Sequence, residues 1–239
     1  NRTFGFSFDF DGAASGSARD PRGNYLDFNA SHSAPIEQVA YSPAKNLIAS
    51  CAASGYDPAI TKSYERNSVK IWDANGNLLR SLPNEQYPVL SVVWNPLGTL
   101  LAYQTTVEIV VYNTDTWTEA RRVPHSSTAP VTSYRETMSF SPNGTMIAAG
   151  SILESNKIQI LNVVTGKTAR PPVPGITRSV VYSPDGKTIA LGMTDGKVQL
   201  LNATDYSYSG LLESAVNNPI ETVAWDPGLE YIATGRSIA

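Results

Sequence analysis

The chain is poor in the residue types from which disulfide, metal and membrane-spanning structures are built. Its 239 residues include one cysteine, Cys51, and two histidines, His32 and His125. One cysteine excludes an intrachain disulfide and favours a reducing compartment, although large secreted β domains also fold without bridges. Two histidines this far apart do not match the ligand spacing of a zinc site. No apolar run approaches the 18 or so residues of a transmembrane helix, so no membrane span is expected.

Charge and phosphate-binding motifs are scarce as well. Charged residues make up 16% of the chain and the net charge is −3, whereas about 25% charged residues is usual for soluble domains. A basic field that would attract nucleic acid is therefore absent. The chain has no glycine-rich phosphate loop, nucleophile elbow or calcium loop, and we expect no cofactor. It starts at Asn1 without a methionine or a signal-like segment, which favours a processed chain or a fragment.

The sequence has instead a repeat with two markers. An aromatic residue followed by a small polar residue and proline recurs at intervals of 53, 46, 42 and 43 residues. We call the aromatic residue of each of these tripeptides the aromatic marker: Tyr41-Ser42-Pro43, Trp94-Asn95-Pro96, Phe140-Ser141-Pro142, Tyr182-Ser183-Pro184 and Trp225-Asp226-Pro227. The second marker stays in phase with the first: Trp72-Asp73, Tyr112-Asn113, Leu161-Asn162 and Leu201-Asn202. Each unit therefore has the same internal layout.

The clearest unit, Val180 to Asp205, predicts the local structure of all the others. Two Asp-Gly turns, at Asp185-Gly186 and Asp195-Gly196, separate short runs rich in Val, Ile and Leu. Asp-Gly between alternating apolar runs is a strong hairpin signal, because glycine adopts positive φ without steric cost. Each unit adds a fourth, more polar run and contains no amphipathic helix. The pattern predicts an all-β chain of four-stranded antiparallel units.

These residues resemble the WD-repeat β-propeller family. A four-stranded unit of about 40 to 45 residues is typical of a propeller blade, the resemblance covers Ile36 to Ala239, and Trp72-Asp73 matches the family dipeptide. The Gly-His pair that usually precedes the innermost strand is missing from every unit, and the turn aspartate survives clearly only as Asp195. We therefore expect packing, rather than the family's buried His-Ser-Trp-Asp network, to hold the blades together.

The two ends of the chain predict how the ring closes. The last unit stops after two strands, whereas Thr3 to Phe10 and Asn24 to Phe28 have the pattern of a third and an outermost strand. The N-terminus is thus expected to complete the blade that the C-terminus begins, which hides the sheet edges. The predicted propeller has five blades in a single domain: residues 36–83, 84–124, 125–173 and 174–214 form blades 1 to 4, and residues 1–35 and 215–239 share the closing blade.

Other arrangements of the ends remain open. Residues 3–30 read alternatively as one degenerate full repeat, although the spacing leaves no room for its outer strand. The units also fit a larger ring, since rings of this family more often have seven blades. Finally, the match between the two ends also fits strand exchange between molecules, which would give filaments.

Candidate recognition residues come from the repeat and from its longest loops. The residues four positions before the aromatic markers form a predicted ring at the channel mouth: Glu37, Leu90, Glu136, Arg178 and Glu221. An alternative is that they are ordinary solvated side chains of a water-filled channel. Two expanded loops on the same face add residue types that are common at interface hot spots. They carry Tyr56, Tyr64 and Arg66 in blade 1, and His125, Tyr134 and Arg135 before the third aromatic marker.

The sequence favours a non-catalytic interaction scaffold that binds a protein or peptide partner on this face. The resemblance implies a cytoplasmic protein. Four glycosylation sequons, at Asn1, Asn29, Asn143 and Asn202, keep a secreted structural or carbohydrate-binding propeller as an alternative. A second alternative is a propeller glycosidase that would use a carboxylate pair from Glu37, Glu136 and Glu221.

Overall fold

The computed structural model describes residues 18–19, 25–26, 32, 34, 36–53, 67–83, 85–125, 137–150, 158–213 and 218–236. Within these residues the regular elements are all β-strands and every strand pair is antiparallel, as predicted. The first pair joins β1 (Ala18–Arg19) to β2 (Tyr25–Leu26). β2 falls in the predicted outermost strand, whereas β1 falls in a stretch that was predicted as strand only in the alternative of one degenerate repeat over residues 3–30. The predicted third strand of the closing blade, residues 3–10, lies outside the described residues.

Four four-stranded sheets follow, each a meander whose strands pair in sequence order. Blade 1 contains β3 (Ile36–Ser42), β4 (Leu47–Ala52), β5 (Ser68–Asp73) and β6 (Leu78–Ser81). Blade 2 contains β7 (Val89–Trp94), β8 (Leu100–Thr105), β9 (Glu108–Asn113) and β10 (Thr118–Pro124). Blade 3 contains β11 (Met138–Phe140), β12 (Met146–Ala149), β13 (Gln159–Asn162) and β14 (Thr168–Ala169). Blade 4 contains β15 (Thr177–Tyr182), β16 (Thr188–Met193), β17 (Val198–Asn202) and β18 (Tyr208–Leu212). Blade 5 consists, in the described residues, of β19 (Ile220–Trp225) and β20 (Ile232–Arg236).

Both sequence markers set the turns of the blades. In blades 2, 3 and 4 the small polar side chain after the aromatic marker accepts a hydrogen bond from a backbone N–H across the turn, as Ser183 Oγ does from Thr188 (3.0 Å). The Asp or Asn of the second marker accepts from the N–H two residues later, as Asn202 Oδ1 does from Thr204 (2.8 Å). Such local bonds favour a turn over continued strand. The markers are therefore the residues that end the first and third strand of each blade.

Apolar side chains pack between successive blades. The innermost strands β3, β7, β11, β15 and β19 contact one another in that order, and a separate cluster of buried side chains fills each of the four interfaces. The cluster between blades 4 and 5 is the smallest and consists of buried Ala190, Val198, Ile220 and Val223. Burial of about 25 cal/mol per Å² of apolar surface makes these interfaces the main source of stability.

A repeated hydrogen bond also joins the innermost strands. The side chain three residues before each aromatic marker accepts from the backbone N–H that lies two residues before the marker of the next blade. The acceptor and donor residues are Gln38 and Val92 (2.8 Å), Ser91 and Met138 (3.2 Å), Thr137 and Val180 (2.8 Å), and Ser179 and Val223 (3.0 Å). We call this series the inter-blade ladder. It satisfies a backbone donor at every one of these four interfaces.

The outer sides of blades 1 and 5 do not form a fifth interface of this kind in the described residues. Thr222 occupies the ladder position of blade 5 and is exposed. On blade 1, Val39 and Tyr41 are 37% and 46% exposed. The inter-strand contacts that join the other four interfaces have no counterpart of similar extent between β19 and β3. Closure of a five-bladed ring therefore stays a prediction.

Substitutions at the ladder position test this closure. Ser179→Ala removes the acceptor of a buried N–H and is expected to lower the free energy of unfolding by about 1–2 kcal/mol. Thr222→Ala is the matched control, and the open arrangement predicts an effect within about 0.5 kcal/mol. Urea denaturation of both variants measures the two values. An equal loss in both variants would mean that the Thr222 side chain accepts a hydrogen bond from a neighbouring blade, as a closed ring requires.

A polar network in blade 1 corrects the expectation that packing alone holds the blades. His32 is 5% exposed; its Nδ1 lies 2.8 Å from Ser68 Oγ and its Nε2 lies 2.6 Å from Ser50 Oγ. The indole N–H of Trp72 donates to the same Ser50 oxygen (2.8 Å). Three residues of the His-Ser-Trp-Asp type, which were expected to form no network in this chain, are thus hydrogen-bonded to one another in blade 1. Burial and the charge of Lys70 lower the pKa of His32 from 6.5 to about 4, so the ring is neutral at pH 7.

The equivalent positions of blade 2 carry different chemistry. We define the blade slot of a blade as three residues. They are the residue nine positions before the aromatic marker, the residue nine positions after it, and the first residue of the second marker. In blade 2 the Tyr103 hydroxyl donates to Glu85 Oε1, and the Tyr103 ring stacks on Tyr112 with centroids 6.0 Å apart. Glu85 is also paired with Arg122 (3.0 Å). Burial and the neighbouring Glu85 carboxylate raise the pKa of Tyr103, so its hydroxyl remains a donor.

The slot of blade 4 is apolar. It contains Val173, Leu191 and Leu201, which are 4%, 0% and 1% exposed and belong to one hydrophobic cluster. The expectation of packing without a polar network is therefore confirmed for blade 4 and wrong for blades 1 and 2. The physical reason is that one slot can be filled by hydrogen-bonded or by apolar side chains, provided that every buried polar atom has a partner.

Candidate functional site

The residues of the predicted channel-mouth ring lie at β-bulges. The pairing of the innermost strands with the second strands shifts by one residue at Glu37, Leu90, Arg178 and Glu221. A bulge leaves one residue outside the ladder and redirects its side chain. The fifth ring residue, Glu136, lies outside the described residues. The repeat thus produces the same backbone irregularity at the same place in four innermost strands.

Two ring residues of neighbouring blades are in direct contact. Arg178 Nη1 lies 2.8 Å and 3.0 Å from the two carboxylate oxygens of Glu221. Their side chains are 24% and 12% exposed, so the pair is partly withdrawn from water and stronger than an ordinary surface ion pair. This contact bridges blades 4 and 5.

The remaining ring positions differ in exposure. Glu37 is half-buried, whereas Leu90 is 3% exposed and packs in the interior. Leu90 is the apolar member of the predicted ring, and its buried side chain does not contribute a polar group to the channel mouth. The described ring thus offers one cation and two carboxylates, of which Glu221 is already engaged by Arg178.

The expanded loops fall largely outside the described residues. This applies to Tyr56, Tyr64, Arg66, Tyr134 and Arg135, whose recognition role stays a prediction. His125 is an exception, because it is described and is 2% exposed. Its Nδ1 lies 2.9 Å from Gln159 Oε1 and its Nε2 lies 3.0 Å from the Gly150 carbonyl oxygen. The prediction that His125 contributes to a recognition loop is wrong, because the ring is buried between blades 2 and 3.

The side chains best suited to nucleophilic or base chemistry are occupied elsewhere. His32 and His125 are both buried in hydrogen-bond networks. Cys51 is fully buried, and this burial raises the pKa of its thiol far above the usual range. Among the described residues no group of His, Cys, Asp or Glu has the arrangement of a metal site. In the same residues no helix is long and apolar enough to span a membrane.

Two of the predicted sequons lie on turns. Asn143 and Asn202 are exposed, and their Oδ1 atoms accept hydrogen bonds from Thr145 N (3.1 Å) and Thr204 N (2.8 Å). Asn1 and Asn29 lie outside the described residues. Use of any of the four sites stays a prediction.

A groove beside blade 4 was missed by the sequence analysis. It has a volume of about 420 Å³ and is lined by Pro174, Met193, Asp195, Lys197, Gln199, Tyr208 and Leu211. Its walls are almost entirely apolar, and its polar groups are few. No local motif predicts this groove, because it depends on hydrogen-bond donors that the preceding crossover segment lacks.

Consecutive four-stranded antiparallel sheets, packed through their innermost strands, define the protein as a β-propeller. No protein-family model and no curated protein matches the chain. Among 1635 chains of solved structures that resemble it is the β-propeller domain of Cps50 (Swd1) from Myceliophteria thermophila. That likeness has a TM-score of 0.68 at 17% identity and covers 86% of this chain and 63% of that one.

The structural comparison confirms the predicted fold class. At this identity it shows the fold alone, because one fold serves many functions. The chain spans less than two thirds of the length of the Cps50 (Swd1) chain that it resembles. The number of blades and membership of the WD-repeat family stay predictions.

Proposed function

We propose that the protein is a non-catalytic interaction scaffold that binds a protein or peptide partner on the face where the innermost strands begin. The observation that carries the proposal is the bulge repeated at Glu37, Leu90, Arg178 and Glu221. Bulges are used to redirect side chains out of a sheet. A rigid propeller thereby presents the carboxylates of Glu37 and Glu221 and the guanidinium of Arg178 on a fixed frame, which limits the entropy lost on binding.

The chemistry of this face supports recognition rather than catalysis. Arg178 and Glu221 form a partly buried pair, and such pairs favour partners with complementary charges. Both histidines hold the internal structure, and Glu221 is bound by a guanidinium group at both carboxylate oxygens. A glycosidase that depends on Glu221 as an acid would first have to release it from Arg178.

Paired variants of two ion pairs test the proposed face. Arg178→Ala with Glu221→Ala removes a pair that bridges blades 4 and 5, and removing both residues leaves no unpaired charge. The tagged double variant is expected to lose most of the protein partners that the wild-type chain retains from native extract. Quantitative mass spectrometry of the retained proteins measures this loss.

The chain offers a matched control on the opposite face. Lys45 and Asp115 form an ion pair between turns of blades 1 and 2, at 2.6 Å. Lys45→Ala with Asp115→Ala is expected to keep the wild-type partners. Thermal melts must show both double variants folded. Retention of the same partners by the Arg178 and Glu221 variant would contradict the proposed face.

A further inference from the structure

The groove beside blade 4 is lined by a residue whose buried amide oxygen has no hydrogen-bond donor among the described residues. Gln199 is 4% exposed, and its Oε1 accepts no hydrogen bond within the described part of the chain. A buried polar group in this state costs free energy unless something outside the chain satisfies it. Gln199 also lines the groove, which places its side chain next to a molecule bound there.

The equivalent residue of blade 3 shows how such an amide is normally satisfied. Gln159, like Gln199, stands two residues before the second marker. Its Oε1 lies 2.9 Å from His125 Nδ1 and its Nε2 donates to the Pro124 carbonyl oxygen (3.0 Å). His125 begins the segment that crosses over from blade 2, and Pro124 is the last residue of β10 before it. Arg170 Nη2 also donates to Gln159 Oε1, at 3.5 Å. The crossover segment therefore supplies the partner in blade 3.

The crossover segment before blade 4 lacks the corresponding donors. It contains Pro171, Pro172 and Pro174 within four residues, and proline has no backbone N–H. The one non-proline residue among these four, Val173, contributes an apolar side chain that is 4% exposed. Pro174 forms one wall of the groove. A wall with few backbone donors thus lines the same groove as a buried acceptor.

The remaining lining specifies the kind of group that fits. Met193, Leu211 and the Tyr208 ring are apolar surfaces, and Tyr208 is 65% exposed. At the rim, the Lys197 ammonium pairs with Glu213 at 3.2 Å, whereas the Asp195 side chain is exposed and accepts from the Lys197 backbone N–H (3.2 Å). An occupant needs an aliphatic stem, several donors and positive charge. An arginine side chain combines these, and its guanidinium also stacks on aromatic rings.

We infer that this groove binds an arginine side chain of a partner protein, with the guanidinium donating to Gln199 Oε1 and to Asp195 while its stem packs on Met193 and Leu211. The inference rests on the proposed function, because it supplies the chemistry of one contact with the partner.

Methionine methyl signals allow a direct test with a defined probe. The chain has three methionines, of which Met193 lines the groove and Met138 and Met146 do not. The full chain, labelled with ¹³C at the methionine methyl groups, is titrated with acetyl-Gly-Arg-Gly-amide. The Met193 signal is expected to move and saturate, whereas those of Met138 and Met146 stay in place. Matched peptides with citrulline or norleucine should bind at least about tenfold more weakly.

Two glutamine variants separate binding from folding. Gln199→Leu should weaken arginine-peptide binding about tenfold or more and leave the Tm equal to or above that of the wild type, because it removes an unpaired polar group. Gln159→Leu is the matched control and should lower the Tm, since it removes the partner of His125. No movement of Met193, or equal binding of the citrulline peptide, would overturn the inference. An unstable Gln199→Leu would do so as well, because it would give the amide a structural role.

The outcome for the groove is distinguishable from the outcome for the proposed function. If the Arg178 and Glu221 variant loses its partners but Met193 does not respond to the peptide, the scaffold function stands and the groove inference fails. If Met193 responds but that variant keeps its partners, the groove inference stands and the proposed face fails.

Discussion

Replacing Ser50 by alanine is expected to lower the free energy of unfolding by about 3 kcal/mol. The Ser50 hydroxyl bonds to both His32 Nε2 (2.6 Å) and the Trp72 indole N–H (2.8 Å). Its removal leaves two buried polar groups unsatisfied, each of which costs about 1–3 kcal/mol. For a chain of this size the Tm should fall by roughly 6–12 °C. Urea denaturation and calorimetry measure the two quantities.

An exposed serine provides the control for this substitution. Ser209 lies on the outer strand β18 and is exposed, so Ser209→Ala should change stability by less than about 0.5 kcal/mol. Equal effects of the two substitutions would show that the blade 1 network contributes nothing, and that packing holds all the blades. Ser50→Thr should retain much of the stability, because it keeps the hydroxyl group.

The second large effect expected is a loss of stability in acid that depends on His32. The pKa of His32 is about 4 in the folded protein and 6.5 as a free side chain. Between these two values the unfolded chain binds a proton that the folded chain does not. The free energy of unfolding therefore decreases as the pH is lowered. The loss begins near pH 6.5, reaches about 2 kcal/mol at pH 5 and levels off at about 3 kcal/mol below pH 4.

The contribution of His32 is isolated by comparison with a variant. His32→Gln lowers stability at neutral pH, but its stability should depend less on pH between 7 and 4 than that of the wild type. Other titrating groups are common to both proteins and cancel in the difference. Urea denaturation at a series of pH values provides the two curves. Parallel curves would mean that His32 is not responsible for the acid dependence.

The sequence allowed the blades to be predicted because turn chemistry is local. The Asp or Asn of the second marker binds the N–H two residues later, and the bond needs no distant residue. The bulged ring positions were also predictable, since residues equivalent in the repeat occupy equivalent places. Contact between Arg178 and Glu221 follows from their positions on adjacent blades.

The blade 1 network was not predicted, because the Gly-His pair that marks it in the WD-repeat family does not occur in this chain. His32 follows a serine, yet it stands nine residues before Tyr41, the same offset as Glu85 has from Trp94. An alignment by position rather than by motif would have found the slot. The Gln199 groove was not predictable in this way, because it depends on the absence of donors from a neighbouring segment.

The three versions of the blade slot have an evolutionary consequence. His-Ser-Trp in blade 1, Glu-Tyr-Tyr in blade 2 and Val-Leu-Leu in blade 4 each contain members that contact one another, with Ser68 and Arg122 as further partners in blades 1 and 2. A single exchange between sets would strand a polar atom or open a void, whereas exchange of all three residues restores a consistent set. Strong epistasis is therefore expected among the slot residues of blades 1, 2 and 4. Transfer of the Val-Leu-Leu set into blade 1 as a unit would yield a propeller that no longer responds to acid through His32.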